Sequence, residues 1–260
     1  ALDGVINIRT TPPRLKPKTK IMINSGVYDD PQREELKHWE QSPMFGRVQL
    51  LHARRIKLGE KAGHLNVVAS TDLFNDQGYQ QDVVETRGRI FTKIEHQPNG
   101  IQGLKYGVST TYSVDTGGVF FFWKNADSGA YLPPVGTINH GIYKRLAVDP
   151  YLTYYNAEKN VRHSIMNRYF RTDNVNLNNR SQDALSQLVY NEYQFQKTWE
   201  ILEDNRVTFT SGAVNTYSKI TSGLYGDHFG RSNSFYAQVD NKIKKVTKSK
   251  TGCYLSLIHI

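Results

Sequence analysis

Val207-Thr208-Phe209-Thr210-Ser211-Gly212-Ala213-Val214-Asn215-Thr216-Tyr217 reads with a period of two. Val207, Phe209, Ser211, Ala213, Asn215 and Tyr217 fall on one face, and Thr208, Thr210, Gly212, Val214 and Thr216 on the other. Successive side chains of a strand point to opposite faces, so such a segment has an apolar side and a polar side. The same alternation sets Phe235, Ala237, Val239, Asn241 and Ile243 against Tyr236, Gln238, Asp240 and Lys242. Working outward, further strands are expected at roughly 19–28, 44–56, 63–73, 85–96, 102–115, 143–155, 161–172 and 185–198, about ten in all. Helical periodicity is scarce; Pro31 to Glu40 suggests a short helical turn within a loop. The chain is nearly all β.

The connections carry a second signal. Short turns are expected at Lys57 to Ala62, His96 to Gly100, Asn156 to Asn160 and Glu200 to Asn205. Gly59, Asn99-Gly100 and Asn160 supply the turn chemistry there. Longer connections are expected at Asp29 to Pro43, Asn75 to Val84, Gly117 to Ile142, Asp173 to Ala184 and Lys219 to Gly230. Long and short therefore alternate along the chain. An up-and-down barrel in a membrane sorts its loops this way, whereas a soluble sandwich or propeller has no reason to do so.

Aromatic placement agrees. Tyr151, Tyr154 and Tyr155 precede a short turn, as do Tyr193, Phe195 and Trp199, while Tyr169 and Phe170 precede a long loop. Such rings favour the two membrane–water interfaces, although high strand propensity alone also enriches them. Apolar residues are 38% of the 260 and charged residues 22%, with no run of about 18 apolar residues, which argues against a transmembrane helix. A barrel with a polar interior tolerates so modest an apolar share. The single cysteine excludes a disulfide scaffold and a cysteine-based zinc site. The net charge of +9 permits a nucleic-acid partner. But the basic residues are spread along the chain, alternating with apolar ones, so no compact basic patch is expected and no nucleic acid.

The chain opens on Ala1 without a charged-then-apolar leader, as an interior piece of something longer would. Its opening Leu2-Asp3-Gly4-Val5-Ile6-Asn7-Ile8-Arg9-Thr10 resembles the last strand of the plug domain of TonB-dependent outer-membrane receptors, with Gly4, Val5, Ile6, Asn7 and Ile8 as the plug-end motif. Residues of about 19–244 are similar to the N-terminal half of such barrels of Bacteroidetes type. Phe74 to Tyr79, Asp149 to Tyr155, Glu192 to Gln196 and Leu224 to His228 carry that likeness. The resemblance implies an all-β transmembrane antiparallel up-and-down β-barrel, about ten strands of an expected 22 preceded by the last plug strand. It divides the chain into a plug end and linker at 1–12, a barrel portion at 13–250, and a tail at 251–260. The tail can begin an eleventh strand, but Leu255 to Ile260 lack alternation, and Ser256 to Ile260 resembles translated sequencing-adapter read-through. The Lys244 to Lys250 run reads as a solvated turn.

The implied function is active import of a bulky, scarce ligand: a siderophore or metal complex, cobalamin, or an oligosaccharide. The implied partners are a TonB-type energy-transducing protein, outer-membrane lipids and a surface lipoprotein, with integral placement in the Gram-negative outer membrane. No catalytic set is found, so no enzyme, metal or cofactor is expected; His64, Asp72 and Asp76 sit where acidic residues are ordinarily solvated. Ligand-binding candidates lie in the long loops. They are Phe121 and Trp123, from the Val119 to Trp123 aromatic run, with Tyr131, and also Trp39 beside His38, Tyr225 and His228. Loops on one rim of a barrel converge, which lets these side chains share a surface. A passive porin or adhesin barrel shares the alternation but should lack a plug strand. A soluble β-rich carbohydrate-binding or hydrolytic domain would need a second sheet over its apolar face. An open set of strands exposes two unpaired edges, so the piece in isolation is expected to aggregate.

Overall fold

The computed structural model describes residues 13–202, 205–243 and 253–259. They form one antiparallel sheet of eleven strands in which every strand pairs with its neighbours in sequence. The strands are β1 (Lys18–Val27), β2 (Met44–Gly59), β3 (Gly63–Asp76), β4 (Glu85–Gln97), β5 (Leu104–Val119), β6 (Asn139–Asn156), β7 (Val161–Asn176), β8 (Ala184–Leu202), β9 (Asn205–Ser222), β10 (Gly226–Ile243) and β11 (Cys253–His259). Two 3-10 turns, Glu34–Leu36 and Arg180–Gln182, are the only helical elements among the described residues. The first falls inside the Pro31 to Glu40 stretch. The plug-end motif Gly4 to Ile8 and the whole lysine run at 244–250 lie outside the described residues.

Because the side-chain period is two, the pairing register carries one face across the whole sheet. One row runs Thr19, His52, Ala69, Thr92, Thr110, Val148, Tyr169, Val189, Tyr217, Arg231. On this face lie Ile23 and Val48, Ile90 and Ile94, Val108 and Leu152, Ile165 and Tyr193, and Phe235 and Val239. The other face carries Arg47 and Asp72, Lys93 and Glu95, Asp149 and Arg168, Glu192 and Gln194. The first face is apolar and the second polar.

Burial is inverted relative to a water-soluble domain. Leu36, in a loop, is the one buried hydrophobic residue among those described, whereas Asn66, Asp72, Glu95, Ser113, Ser164 and Thr210 are all buried on the polar face. On the apolar face Ile23 is 72% exposed and Phe235 69%. With no second layer packed on either side among the described residues, such asymmetry requires a sheet curved so that polar side chains crowd on the concave side. The apolar band also crosses the rows obliquely. In β1, Ile21 and Ile23 lie on the long-loop side of Thr19, while in β10, Phe235 and Val239 lie on the short-turn side of Arg231.

Several expectations need correction. Strands run further than the apolar alternation does, and β10 begins nine residues before Phe235, at Gly226. The expected long connection from Lys219 to Gly230 is therefore a paired hairpin closed by Gly223 to Tyr225, with Gly226 at φ +78. Ladder hydrogen bonds need no hydrophobic side chains, so pairing continues through Thr221, Ser222 and Asp227. From β1 to β9 the connections keep the long–short alternation. Of the ring residues, Tyr154, Tyr169, Tyr193, Phe195 and Trp199 lie on the apolar face, but Tyr151, Tyr155 and Phe170 lie on the polar one. Part of the tail pairs as β11 along Phe235 to Asn241 of β10.

Glycines inside strands mark where rings lie flat. Tyr236 crosses its partner Gly212 to reach Gln194 and Glu192 on the strand beyond, at 2.9 and 2.6 Å. Tyr151 likewise crosses Gly107 to reach Glu95. A Cβ at Gly212 would fall 2.5 Å from the Tyr236 ring, whereas one at Gly46 meets nothing within 4 Å. Gly212→Ala is expected to displace Tyr236 and cost about 1–3 kcal/mol, the scale of overpacking. Heat unfolding in detergent micelles checks this, with Gly46→Ala expected to leave the midpoint nearly unchanged.

Candidate functional site

Three long connections, β1–β2, β3–β4 and β5–β6, converge on a cluster of rings. Tyr79 is its centre, with centroids 5.6 Å from Tyr28, 5.0 Å from Trp39 and 4.8 Å from Tyr131. His38 packs edge-on to Trp39 at 4.8 Å, and Phe45, at the start of β2, meets Tyr28 at 5.7 Å. Edge-to-face pairs of this kind hold segments together through ring quadrupoles as well as buried area. Polar bonds fix the loops around them: Gln81 N–H donates to Tyr131 O at 2.9 Å, and Tyr28 Oη to Asp76 Oδ2 at 2.8 Å. Trp39 Nε1 donates to Asp30 Oδ1 at 3.2 Å, and the Lys37 ammonium reaches the other oxygen at 2.8 Å. Lys37 holds the Asp30 carboxyl below its ordinary range. Partial desolvation, followed by Tyr131, raises the Tyr79 phenol.

Of the predicted candidates, Trp39 and Tyr131 are brought into one cluster through Tyr79. Phe121 and Trp123 are 74% and 60% exposed, and no aromatic pair joins them to it among the described residues. Tyr225 occupies the β9–β10 tip at 76% exposed, and its carbonyl is bonded by the His228 ring at 2.8 Å. These two belong to a separate hairpin. His64 stands at the short-turn end of β3, away from Asp72 and Asp76 at its long-loop end. Arg47 grips Asp72 through two bonds of 2.8 and 2.7 Å, which commits that carboxylate to an ion pair.

Tyr79, Tyr28 and Phe45 were missed by sequence reading, although Gly78-Tyr79 stands in a loop between two strong alternations. The polar face was missed more widely. Glu95 accepts from Tyr151 Oη at 2.5 Å, Gln97 Nε2 at 2.8 Å and Asn66 Nδ2 at 3.0 Å. Glu192 accepts from Tyr190 Oη at 2.5 Å and Tyr236 Oη at 2.6 Å. A lone glycine within a strand, as at Gly107 and Gly212, is the available signal for such close approach. The apolar face carries its own fringe towards the short turns, where His96 bonds Tyr106 Oη and His163 bonds Tyr193 Oη, each at 2.8 Å.

Comparison with protein-family models, with curated proteins and with solved structures gives no match. The functional reading therefore rests on the residues themselves.

Tyr79→Ala removes the ring shared by three contacts and is expected to loosen the 28–43 loop by about 1–3 kcal/mol. Limited proteolysis should then cut that loop faster, and tryptophan emission should shift to the red. Phe121→Ala is expected to change neither.

Proposed function

We propose that this chain is part of the wall of an outer-membrane β-barrel that works as a TonB-dependent receptor, importing a bulky, scarce ligand with energy supplied by a TonB-type partner. The observation that carries the barrel reading is the inverted burial: an apolar outer face exposed across the sheet, and polar side chains crowded on the other. Lipid is the solvent that such an outer face suits, and a polar lumen suits the inner one. The oblique apolar band supports strands tilted to the membrane plane, as barrel closure demands. The fringe of Tyr106, Tyr154, Tyr193 and Trp199 on the apolar face supports an aromatic girdle on the short-turn side. The sheet order from β1 to β11 is linear, so closure would take further strands.

The ring cluster around Tyr79 sits on the long-loop rim, where a receptor would first meet its ligand. It offers flat apolar faces beside Asp30 and Lys37, which fits a siderophore or metal complex, cobalamin, or an oligosaccharide delivered by a surface lipoprotein. A passive porin or adhesin barrel shares every one of these features. The plug-end motif Gly4 to Ile8 favours the energised receptor on resemblance alone.

Single cysteines at Ile90, Phe91, Thr92, Lys93 and Ile94, in a Cys253→Ser background, test the membrane reading. Spin labels at 90, 92 and 94 should collide with oxygen in reconstituted bilayers, and those at 91 and 93 with a water-soluble relaxant. A water-accessible pattern at all five would leave no membrane wall. For transport, loss of the protein in its host should abolish uptake of a ligand that is equally lost without the energy-transducing protein. Uptake that survives de-energisation would favour the passive pore.

A further inference from the structure

The cations of the polar face divide into two populations. Towards the long loops three arginines are paired, Arg47 with Asp72 at 2.7 Å, Arg87 with Glu85 at 2.8 Å and Arg145 with Asp115 at 3.4 Å, and Arg89 stands opposite Asp72 in the ladder. Towards the short turns of β1 to β5 cations outnumber acids. There Arg14, Lys16, Lys18, Arg55, Lys93 and Lys105 line a cavity of about 910 Å³ whose one acidic side chain among the described residues is Glu95. Among the described residues the ion pairing of this cavity reduces to Lys93 and Glu95 at 3.8 Å.

The cavity is built rather than incidental. Glu95 is already held by Tyr151, Gln97 and Asn66. Asn66, 4% exposed, turns its amide oxygen to Arg55 Nε at 2.8 Å, which fixes the guanidinium against the wall. Arg55 N–H donates to the carbonyl of Arg14 at 2.9 Å and ties the 13–17 segment to β2. Lys93 Nζ lies 5.3 Å from the centre of the Tyr151 ring, a cation–π contact that orients it. Leu51, Val68 and Phe91 complete the wall and lower the local dielectric. Gathering six cations around one committed carboxylate is unfavourable unless an anion joins them.

We propose that this short-turn half of the polar face is a binding site for a small multivalent anion bearing phosphate or carboxylate groups. The volume falls within the range of small-molecule pockets. Arg55 supplies a planar fork for two oxygens, and Lys18, Lys93 and Lys105 supply point charges around it. The site is distinct from the ring cluster on the opposite rim, and binding there requires neither an energised partner nor a bilayer.

Tripolyphosphate titrated calorimetrically into the protein purified in detergent micelles is the test. Saturable binding is expected, weakening as sodium chloride is raised. Lys93→Gln and Lys105→Gln should each weaken it about tenfold, on the order of one charge-assisted contact. Lys93→Arg should retain most of it, and Lys144→Gln, on the apolar face, should leave it unchanged. No saturable binding, or equal loss from Lys144→Gln, overturns the proposal. Tripolyphosphate binding by a protein that fails to enter bilayers would sink the membrane reading and leave this site standing.

Discussion

A single sheet with no second layer among the described residues must satisfy two surroundings at once, and every other feature here follows from that constraint. Each strand sends alternate side chains to opposite faces, so neither face can be apolar without the other being left for polar groups. Burial shows how the sheet resolves this. Carboxylates, amides and hydroxyls crowd inward and bond one another, while isoleucine, valine and aromatic rings remain outward. In water that arrangement would expose a broad apolar patch.

The inward groups do not stay neutral by dispersion. Tyrosines laid across glycines carry phenols over a whole strand to Glu95 and Glu192, so each carboxylate is held from more than one strand. These bonds stiffen the sheet where the described residues form no hydrophobic core to do so. Near the long loops the same face pairs Arg47, Arg87 and Arg145 with aspartates and a glutamate. Near the short turns of β1 to β5 Glu95 is the one acid among the described residues lining the cavity, and a basic hollow remains. The rim above is organised differently, by rings from three loops meeting at Tyr79.

Much of the fold was legible because period-two patterns are local. The alternation from Val207 to Tyr217 placed β9 and its faces, and the turn residues Gly59 and Asn160 adopt the positive φ that turn chemistry implies. Strand ends were less legible, since pairing at Thr221 or Asp227 depends on a partner across the ladder and not on hydropathy. That is why the β9–β10 hairpin looked like a loop. The reading of the basic residues failed for a related reason. Lys18, Arg55, Lys93 and Lys105 are far apart in sequence and each alternates with apolar neighbours, so no charge run appears. That same alternation puts every one of them on a single face, and the register then gathers them.

The site was legible only in outline. Trp39 and Tyr131 could be named as loop aromatics, but Tyr79, which joins them, has no pattern of its own. Phe121 and Trp123 had the more conspicuous run and project into solvent. By itself, then, the sequence determined the strand class, the order of long and short connections and which side chains share a face, because each depends on neighbours a few residues apart. The tertiary structure alone decided where strands end, which carboxylates are neutralised and which cations are left together. Those depend on register between strands tens of residues apart, and no local signal carries it.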